Sequence, residues 1–214
     1  MTDLVDPHAV NAPGDPVLAP DPMHGSSHIT STGISNEKLA MWIFLGSECL
    51  LFGGLISTFL LYKEKSAGGP ELHDLFDIAF TSISSFVLLM SSLTMVLAVS
   101  AIQRGDHRAL RSWLLVTALL GSVFISGQVY EFKEFLNEDL GFTTSPASSA
   151  FYALTGFHGA HVTIGIIMLM STLILSLRGR ITQQKAEAVE IVGLYWHFVD
   201  VVWILVFTIV YLIK

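Results

Sequence analysis

The sequence predicts an all-α membrane protein, a bundle of five transmembrane helices preceded by a polar N-terminal tail. Charged residues make up only 14% of the 214 residues, whereas soluble domains carry about 25%. The mean hydropathy is +0.62. Five apolar runs, each close to or above the roughly 20 residues that span a bilayer, occupy positions 39–62, 75–102, 112–130, 148–177 and 189–213.

We divide the chain into a tail, residues 1–37, and a transmembrane domain, residues 38–214. The tail holds five of the seven prolines and no lysine or arginine. Such a composition cannot bury a core, and it lacks the basic and apolar regions of a signal peptide. The widely spaced His8, His24 and His28 are interpreted as solvated side chains rather than metal ligands.

Two features predict helix ends. Ser145 and Pro146 are typical of an N-cap followed by the first helical position. After Tyr130, apolar residues recur at helical spacing among charges, which predicts a short amphipathic helix on the membrane surface that Gly141 ends. Its apolar residues are Phe132, Phe135, Leu136 and Leu140.

The distribution of lysine and arginine predicts the orientation. One side of the membrane would hold Lys38, Arg104, Arg108, Arg111, Arg178, Arg180 and Lys185, and the other Lys63, Lys65, Lys133 and Lys214. The positive-inside rule then places the N-terminus in the cytoplasm and the C-terminus outside.

Glu48 lies within the first apolar run, and its neighbours at i±3 and i±4 are apolar. No residue of its own helix therefore pairs with it, and burial in lipid favours the neutral acid. Two interpretations stay open. Glu48 is either a proton-handling or lipid-facing carboxylate, or a protonated acid that donates one hydrogen bond to a neighbouring helix.

The last two runs carry polar pairs at i, i+3 spacing: His158 with His161, and His197 with Asp200. An aspartate that accepts from an imidazole would fix its tautomer and lower the cost of burying both groups. Histidines on two facing helices could instead ligate haem or copper. A hydrogen-bonded network and metal ligation both remain open at this stage.

Other chemistry is not indicated. The single cysteine, Cys49, excludes a disulfide and a cysteine-based metal site within the chain. The formal charge of −7 argues against nucleic acid as a partner. No nucleophile with an adjacent base, phosphate loop or zinc-protease motif is visible, so we expect no catalytic residues.

Three segments carry a resemblance: 42–54, WIFLGSECLLFGG; 154–162, LTGFHGAHV; and 195–203, YWHFVDVVW. Together with Gln128 and Glu131, they resemble subunit III of the haem–copper terminal oxidases. The likeness runs in order from Lys38 to the C-terminus. The chain is similar to the five-helix bacterial form, since the first two helices of the seven-helix form are missing.

The resemblance implies an integral subunit without haem or copper of its own in a proton-pumping oxygen reductase of the bacterial plasma membrane. Its main contact would be subunit I, with subunit II and a small subunit IV as further partners, and structural phospholipid would be bound. Glu48 would be the carboxylate of the family's lipid cleft, with His161 near a lipid head group. Arg178 and Arg180 are the nearest candidates for the family's basic lipid contacts.

Two other functions remain to be weighed against this one. The chain could be a haem b electron carrier that uses His158 or His161 with His197. It could also be a small proton-coupled transporter built on Glu48 and Asp200. A Soret band belonging to this chain would favour the carrier, and co-purification with a haem–copper subunit I would exclude both.

Overall fold

The computed structural model describes residues 35–63, 78–137, 141–181 and 185–212. The helices are α1 (Asn36–Tyr62), α2 (Ile78–Gln103), α3 (His107–Asn137), α4 (Pro146–Leu177) and α5 (Ala186–Phe207), and a π-helical turn, Thr208–Leu212, continues α5. By length and composition all five can cross a membrane. The predicted five-helix class is confirmed, while positions 1–34 of the predicted tail lie outside the described residues.

The predicted helix positions are right, but α3 is longer than expected. The surface helix predicted after Tyr130 is wrong, because α3 continues without a break to Asn137. Phe135 is 2% exposed, and its ring centroid lies 5.7 Å from that of Phe151 on α4. Phe135 is buried against α4 instead of lying on the membrane surface. The transmembrane helix α3 is therefore longer than the apolar run predicted. Leu140, also assigned to the surface helix, lies outside the described residues.

Local hydrogen bonds set the ends of the helices. Gly105, with φ of 75°, ends α2, and the Asp106 carboxylate accepts from the backbone N–H groups of Arg108 and Ala109 at the start of α3. Ser145 caps α4 in a reciprocal box with Ser148, and Pro146 is the first helical residue. This confirms the predicted start of α4.

Helices α2 to α5 form the bundle, in which α2 packs on α3 and α5, and α4 packs on α3 and α5. Helix α1 lies at the edge. Only 11% of the residues in its apolar stretch are buried, against 44% of those in the apolar stretch of the last span, Ala186–Leu212. It is held to the bundle by a few side chains, among them Lys38, whose Nζ lies 2.6 Å from Glu190 of α5.

The indole of Trp196 on α5 joins three other helices. Its Nε1 donates to Ser91 Oγ of α2 at 3.0 Å, while its ring lies against Gly121 of α3 and Gly165 of α4. A Cβ at residue 121 would lie 2.6 Å from Cη2 of Trp196, and one at residue 165 would lie 2.8 Å from its Cε3. Only glycine at both positions leaves room for the ring.

Seven residues along α5, Trp203 repeats this hydrogen bond. Its Nε1 donates to Ser85 Oγ of α2 at 2.8 Å. Ser85 in turn donates to the Thr81 carbonyl oxygen, and Ser91 to that of Leu88. Each serine thus satisfies a buried indole without leaving its own hydroxyl hydrogen unbonded, which matters because lipid offers no replacement partner.

Replacing either glycine beside Trp196 should destabilise the bundle. We expect Gly121→Ala and Gly165→Ala each to cost about 1–3 kcal/mol, because the added methyl group overpacks a buried site. Thermal unfolding of the purified chain in one detergent measures this. Gly156→Ala on α4 is the matched control, since its methyl group meets nothing within 4 Å. Equal unfolding temperatures for all three variants would contradict the tight packing of the Trp196 ring against Gly121 and Gly165.

The cap of α3 should make stability depend on pH. Hydrogen bonds from Ala109 and Arg108, with the nearby Arg104 and Arg108 charges, hold the pKa of Asp106 below its ordinary value of 3.8. A lowered folded-state pKa stabilises the fold above the unfolded pKa, and this contribution disappears as pH falls through the folded value.

We therefore expect Asp106→Ala to lower the unfolding temperature most at neutral pH, and the difference from native to shrink in acid. Asp106→Asn, which keeps a capping oxygen, should lose less at neutral pH. Thermal unfolding between neutral and acidic pH checks both. A difference between native and Asp106→Ala that grows in acid would contradict the assignment.

Candidate functional site

Glu48 has a partner on another helix. Its Oε2 lies 3.1 Å from Nε2 of His161 on α4, and the two side chains are 14% and 12% exposed. Both residues lie near the middle of their helices. Of the two interpretations of Glu48, the contact favours the hydrogen bond to a neighbouring helix.

The other ring nitrogen of His161 determines how this pair shares its proton. Nδ1 lies 2.8 Å from the Phe157 carbonyl oxygen, which can only accept, so Nδ1 carries hydrogen. Nε2 then either accepts from a protonated Glu48 or, in an imidazolium, donates to its carboxylate. Both arrangements are neutral overall, which lowers the cost of placing two ionisable groups inside a membrane.

Aromatic residues hold the pair in place. Phe52, one turn after Glu48, is 3% exposed, and its ring centroid lies 5.1 Å from that of His161. The Tyr195 hydroxyl of α5 donates to the His161 carbonyl oxygen at 3.0 Å. The pair therefore sits where α1, α4 and α5 meet.

His158 lies three residues before His161 but in a different environment. It is completely buried, stacked on Trp203 with ring centroids 4.7 Å apart and in edge contact with Phe52 and Phe124. Within the described part of the chain, neither ring nitrogen has a hydrogen-bond partner. Three aromatic rings enclose the imidazole, which argues against room for a haem.

His197 and Asp200 belong to one hydrogen-bonded network between helices, the interpretation that the sequence left open beside metal ligation. Nδ1 of His197 lies 2.6 Å from Ser92 Oγ of α2, and the same hydroxyl also interacts with the Asp200 carboxyl group. Asp200 is 4% exposed, and its Oδ1 has no partner among the described residues. A serine of another helix thus links the two side chains.

The remaining candidates lie at the membrane boundary. Arg178 and Arg180 follow the end of α4 and are exposed, where Gly179, with φ of 68°, allows the chain to turn. Arg111 of α3 binds this end, since its Nη2 donates to the Ser176 carbonyl oxygen at 2.8 Å. Arg178 and Arg180 are therefore available to anionic groups at that surface.

Several polar contacts had not been predicted from the sequence. Near the other end of the bundle, Thr81 of α2 donates to Glu131 Oε1 at 2.8 Å, and the Tyr211 hydroxyl bonds to the same carboxylate. Gln103 donates to Glu190 Oε1 at 3.0 Å. Spacing along one helix cannot reveal these partners, because each contact joins residues far apart in sequence.

In the part of the chain that the structure describes, hydroxyl groups do lie beside bases, as Ser92 Oγ lies 2.6 Å from His197 Nδ1, and this contact joins α2 to α5. Over the same residues, no group of three or more His, Cys, Asp or Glu side chains is placed to hold a metal ion. The polar groups instead connect helices to one another. Their chemistry is that of internal hydrogen bonding in a membrane bundle.

Comparison with known proteins identifies the family. The chain matches the family described as cytochrome c oxidase subunit III over residues 21–214. It is 40% identical to cytochrome c oxidase subunit 3 of Bacillus sp. strain PS3 over 177 residues, which cover 83% of this chain and 86% of that protein. The chain belongs to the cytochrome c oxidase subunit III family.

Relatives in this family carry two kinds of name. Quinol oxidase subunit 3 of Bacillus subtilis strain 168 is 40% identical over 194 residues, which cover 88% of this chain and 95% of that protein. Cytochrome bo(3) ubiquinol oxidase subunit 3 of Pseudomonas putida is 38% identical over 175 residues, which cover 82% of this chain and 84% of that protein. The resemblance seen in the sequence is confirmed, and the chain is a multi-pass membrane protein of oxidase subunit III type.

Proposed function

We propose that the chain is a non-catalytic subunit of a haem–copper oxygen reductase in aerobic respiration. It would support the stability, proton uptake and lipid or oxygen access of subunit I. The carrying observation is that Glu48 and His161 bond to each other across two helices at 3.1 Å, while the described residues contain no group of three or more side chains placed to hold a metal ion. Such a pair stabilises a bundle and has no chemical step of its own.

Haem and copper would lie in the partner subunits, with subunit I as the main contact and subunit II and a small subunit IV as further neighbours. The electron donor, cytochrome c or quinol, would bind those subunits. The excess of lysine and arginine at the end of the bundle that holds Arg104, Arg111 and Arg178 supports a cytoplasmic N-terminus and an outside C-terminus. The membrane would be the bacterial plasma membrane, since the relatives named above are bacterial proteins.

Bound phospholipid is part of the proposal. The resemblance implies a lipid head group near His161, but the Glu48–His161 pair lies near the middle of α1 and α4, a depth at which lipid presents acyl chains. A pair that is neutral overall and hydrogen-bonded internally can meet such chains. Arg178 and Arg180, exposed at the end of α4, are placed to meet phosphate groups.

Metal analysis of the purified complex tests the non-catalytic role. We expect the chain to co-purify with a haem–copper subunit, and His158→Ala and His197→Ala to leave haem and copper per catalytic subunit unchanged. The electron carrier would need His197 together with His158 or His161, whereas aromatic rings enclose His158 and both ring nitrogens of His161 are bonded. Loss of one haem in either variant would instead support the electron-carrier function.

Glu48→Gln should assemble normally and begin turnover at close to the native rate. The glutamine amide can donate to His161 Nε2 as a protonated glutamate does. Glu48→Leu leaves that nitrogen unpaired, which costs on the order of 1–3 kcal/mol, so this subunit should be lost more readily. During sustained turnover we expect the Glu48→Gln enzyme to inactivate faster than the native enzyme, because the proposed role of Glu48 is to support the catalytic subunit and not to take part in the reaction.

Oxygen consumption against time, with proton release, measures this for the native enzyme and both variants. Cys49→Ser, the adjacent and exposed position, is the control for substitution at this depth. An immediate loss of nearly all oxygen reduction in Glu48→Gln, with all subunits present, would make Glu48 an essential proton relay. That result would reject the supporting role.

A further inference from the structure

A groove runs between α2 and α5 on the outside of the bundle, and we call it the α2–α5 groove. It contains two hollows in line. One, of about 290 Å³, extends from Gln103 and Glu190 to His197. The other, of about 260 Å³, lies between Ser82 and Phe207. Both hollows open sideways, toward whatever surrounds the bundle in the membrane.

The groove is as long as the membrane is thick. Between Ser82 and Gln103, helix α2 rises about 31 Å at about 1.5 Å per residue, and the hydrocarbon core of a bilayer measures about 30 Å. Apolar side chains form its edges, including Val96, 51% exposed, and Ile204, 42% exposed. Its dimensions suit one long, mostly apolar element that crosses the bilayer.

His197 lies between the two hollows and close to the middle of the span Ala186–Leu212. Its Nδ1 is bonded to Ser92, and the ring lines the first hollow. Among the described residues, Nε2 of His197 has no hydrogen-bond partner. Unlike the two ring nitrogens of His158, this atom is not fully buried. Asp200, beside Ser92, also keeps one oxygen without a partner there.

Depth distinguishes a protein occupant from a lipid. The ester and head groups of a lipid lie at the bilayer surface, about 15 Å from its middle, so acyl chains alone would face His197. Polar side chains in membrane spans almost always face protein or water, and interfaces between membrane helices commonly hydrogen-bond across. The available nitrogen of His197 therefore calls for a polar side chain on a neighbouring helix.

His161 provides the contrast. At similar depth in α4, its Nε2 lies 3.1 Å from Glu48 Oε2 and its Nδ1 lies 2.8 Å from the Phe157 carbonyl oxygen, so both ring nitrogens have partners within the chain. His197 in the α2–α5 groove uses one ring nitrogen and leaves the other available.

We infer that the α2–α5 groove receives a transmembrane helix of the catalytic subunit, with a hydrogen-bonding side chain opposite His197. This inference rests on the proposed function for its partner. It assigns the contact between the subunits to one surface of this chain.

Photo-crosslinking of the intact oxidase tests the groove. In a Cys49→Ser background, which removes the chain's only cysteine, Val96→Cys and Ile204→Cys carry a thiol-reactive benzophenone. Val123→Cys on α3 and Ile167→Cys on α4, 58% and 59% exposed, are the matched controls. We expect the groove positions to crosslink to a transmembrane segment of the catalytic subunit and the controls to lipid. The oxidase that carries the cysteine-free chain is the background control, since any crosslinking in it comes from label on the other subunits.

The outcomes separate this inference from the proposed function. Groove positions that crosslink only to lipid, or to a second copy of this chain, in an oxidase with all its subunits would reject the groove alone. A chain that purifies without any haem–copper subunit would reject the proposed function and the inference with it.

A second measurement does not depend on labelling. Val96→Trp and Ile204→Trp fill the two hollows with an indole, so most of the subunit should be lost from the purified oxidase. Unfolding of the isolated chain should stay at the native temperature, because both positions face outward. Val123→Trp should keep both properties. Full retention of the two groove variants would overturn the inference.

Discussion

The bundle depends on the fit of Trp196 between two glycines. Its ring reaches from α5 to Gly121 and Gly165, where an added Cβ would lie 2.6 and 2.8 Å from ring carbons, and its Nε1 bonds to Ser91. Because lipid tails are as apolar as the side chains, hydrophobic burial does not drive helices together in a membrane. Close packing and interhelical hydrogen bonds must do so, and this residue supplies both to four helices at once.

The polar groups inside the bundle follow from the same constraint. The indoles of Trp196 and Trp203 each donate to a serine, Gln128 donates to the Thr155 carbonyl oxygen at 2.9 Å, and Glu131 accepts from Thr81. The Gln128 amide lies where a Cβ of residue 159 would be. Glycine at this position therefore leaves room for a hydrogen-bonding side chain, as Gly121 and Gly165 leave room for Trp196. His158 departs from this pattern, because aromatic faces rather than hydrogen bonds surround its ring.

Hydropathy and local motifs were sufficient for the helices. The apolar runs located all five spans, and the Ser145–Pro146 pair located the start of α4. They failed where contacts between helices decide. Amphipathic spacing after Tyr130 predicted a surface helix, yet Phe135 is buried against α4. Spacing placed His197 and Asp200 on one face of their own helix, but it could not indicate Ser92 of α2, which bonds to the imidazole. A single helix cannot indicate which neighbour faces it.

The pairing of Glu48 shows how such contacts divide the surface of the protein. Both ring nitrogens of His161 are used, one by the Phe157 carbonyl oxygen and one by Glu48, so this imidazole needs no partner from outside the chain. His197 uses one nitrogen for Ser92 and lines an open hollow. Because lipid tails offer no hydrogen-bonding groups, an outward-facing imidazole nitrogen at mid-depth favours a polar partner on a neighbouring chain. An imidazole with one nitrogen left available therefore indicates protein-facing surface, which hydropathy alone does not reveal.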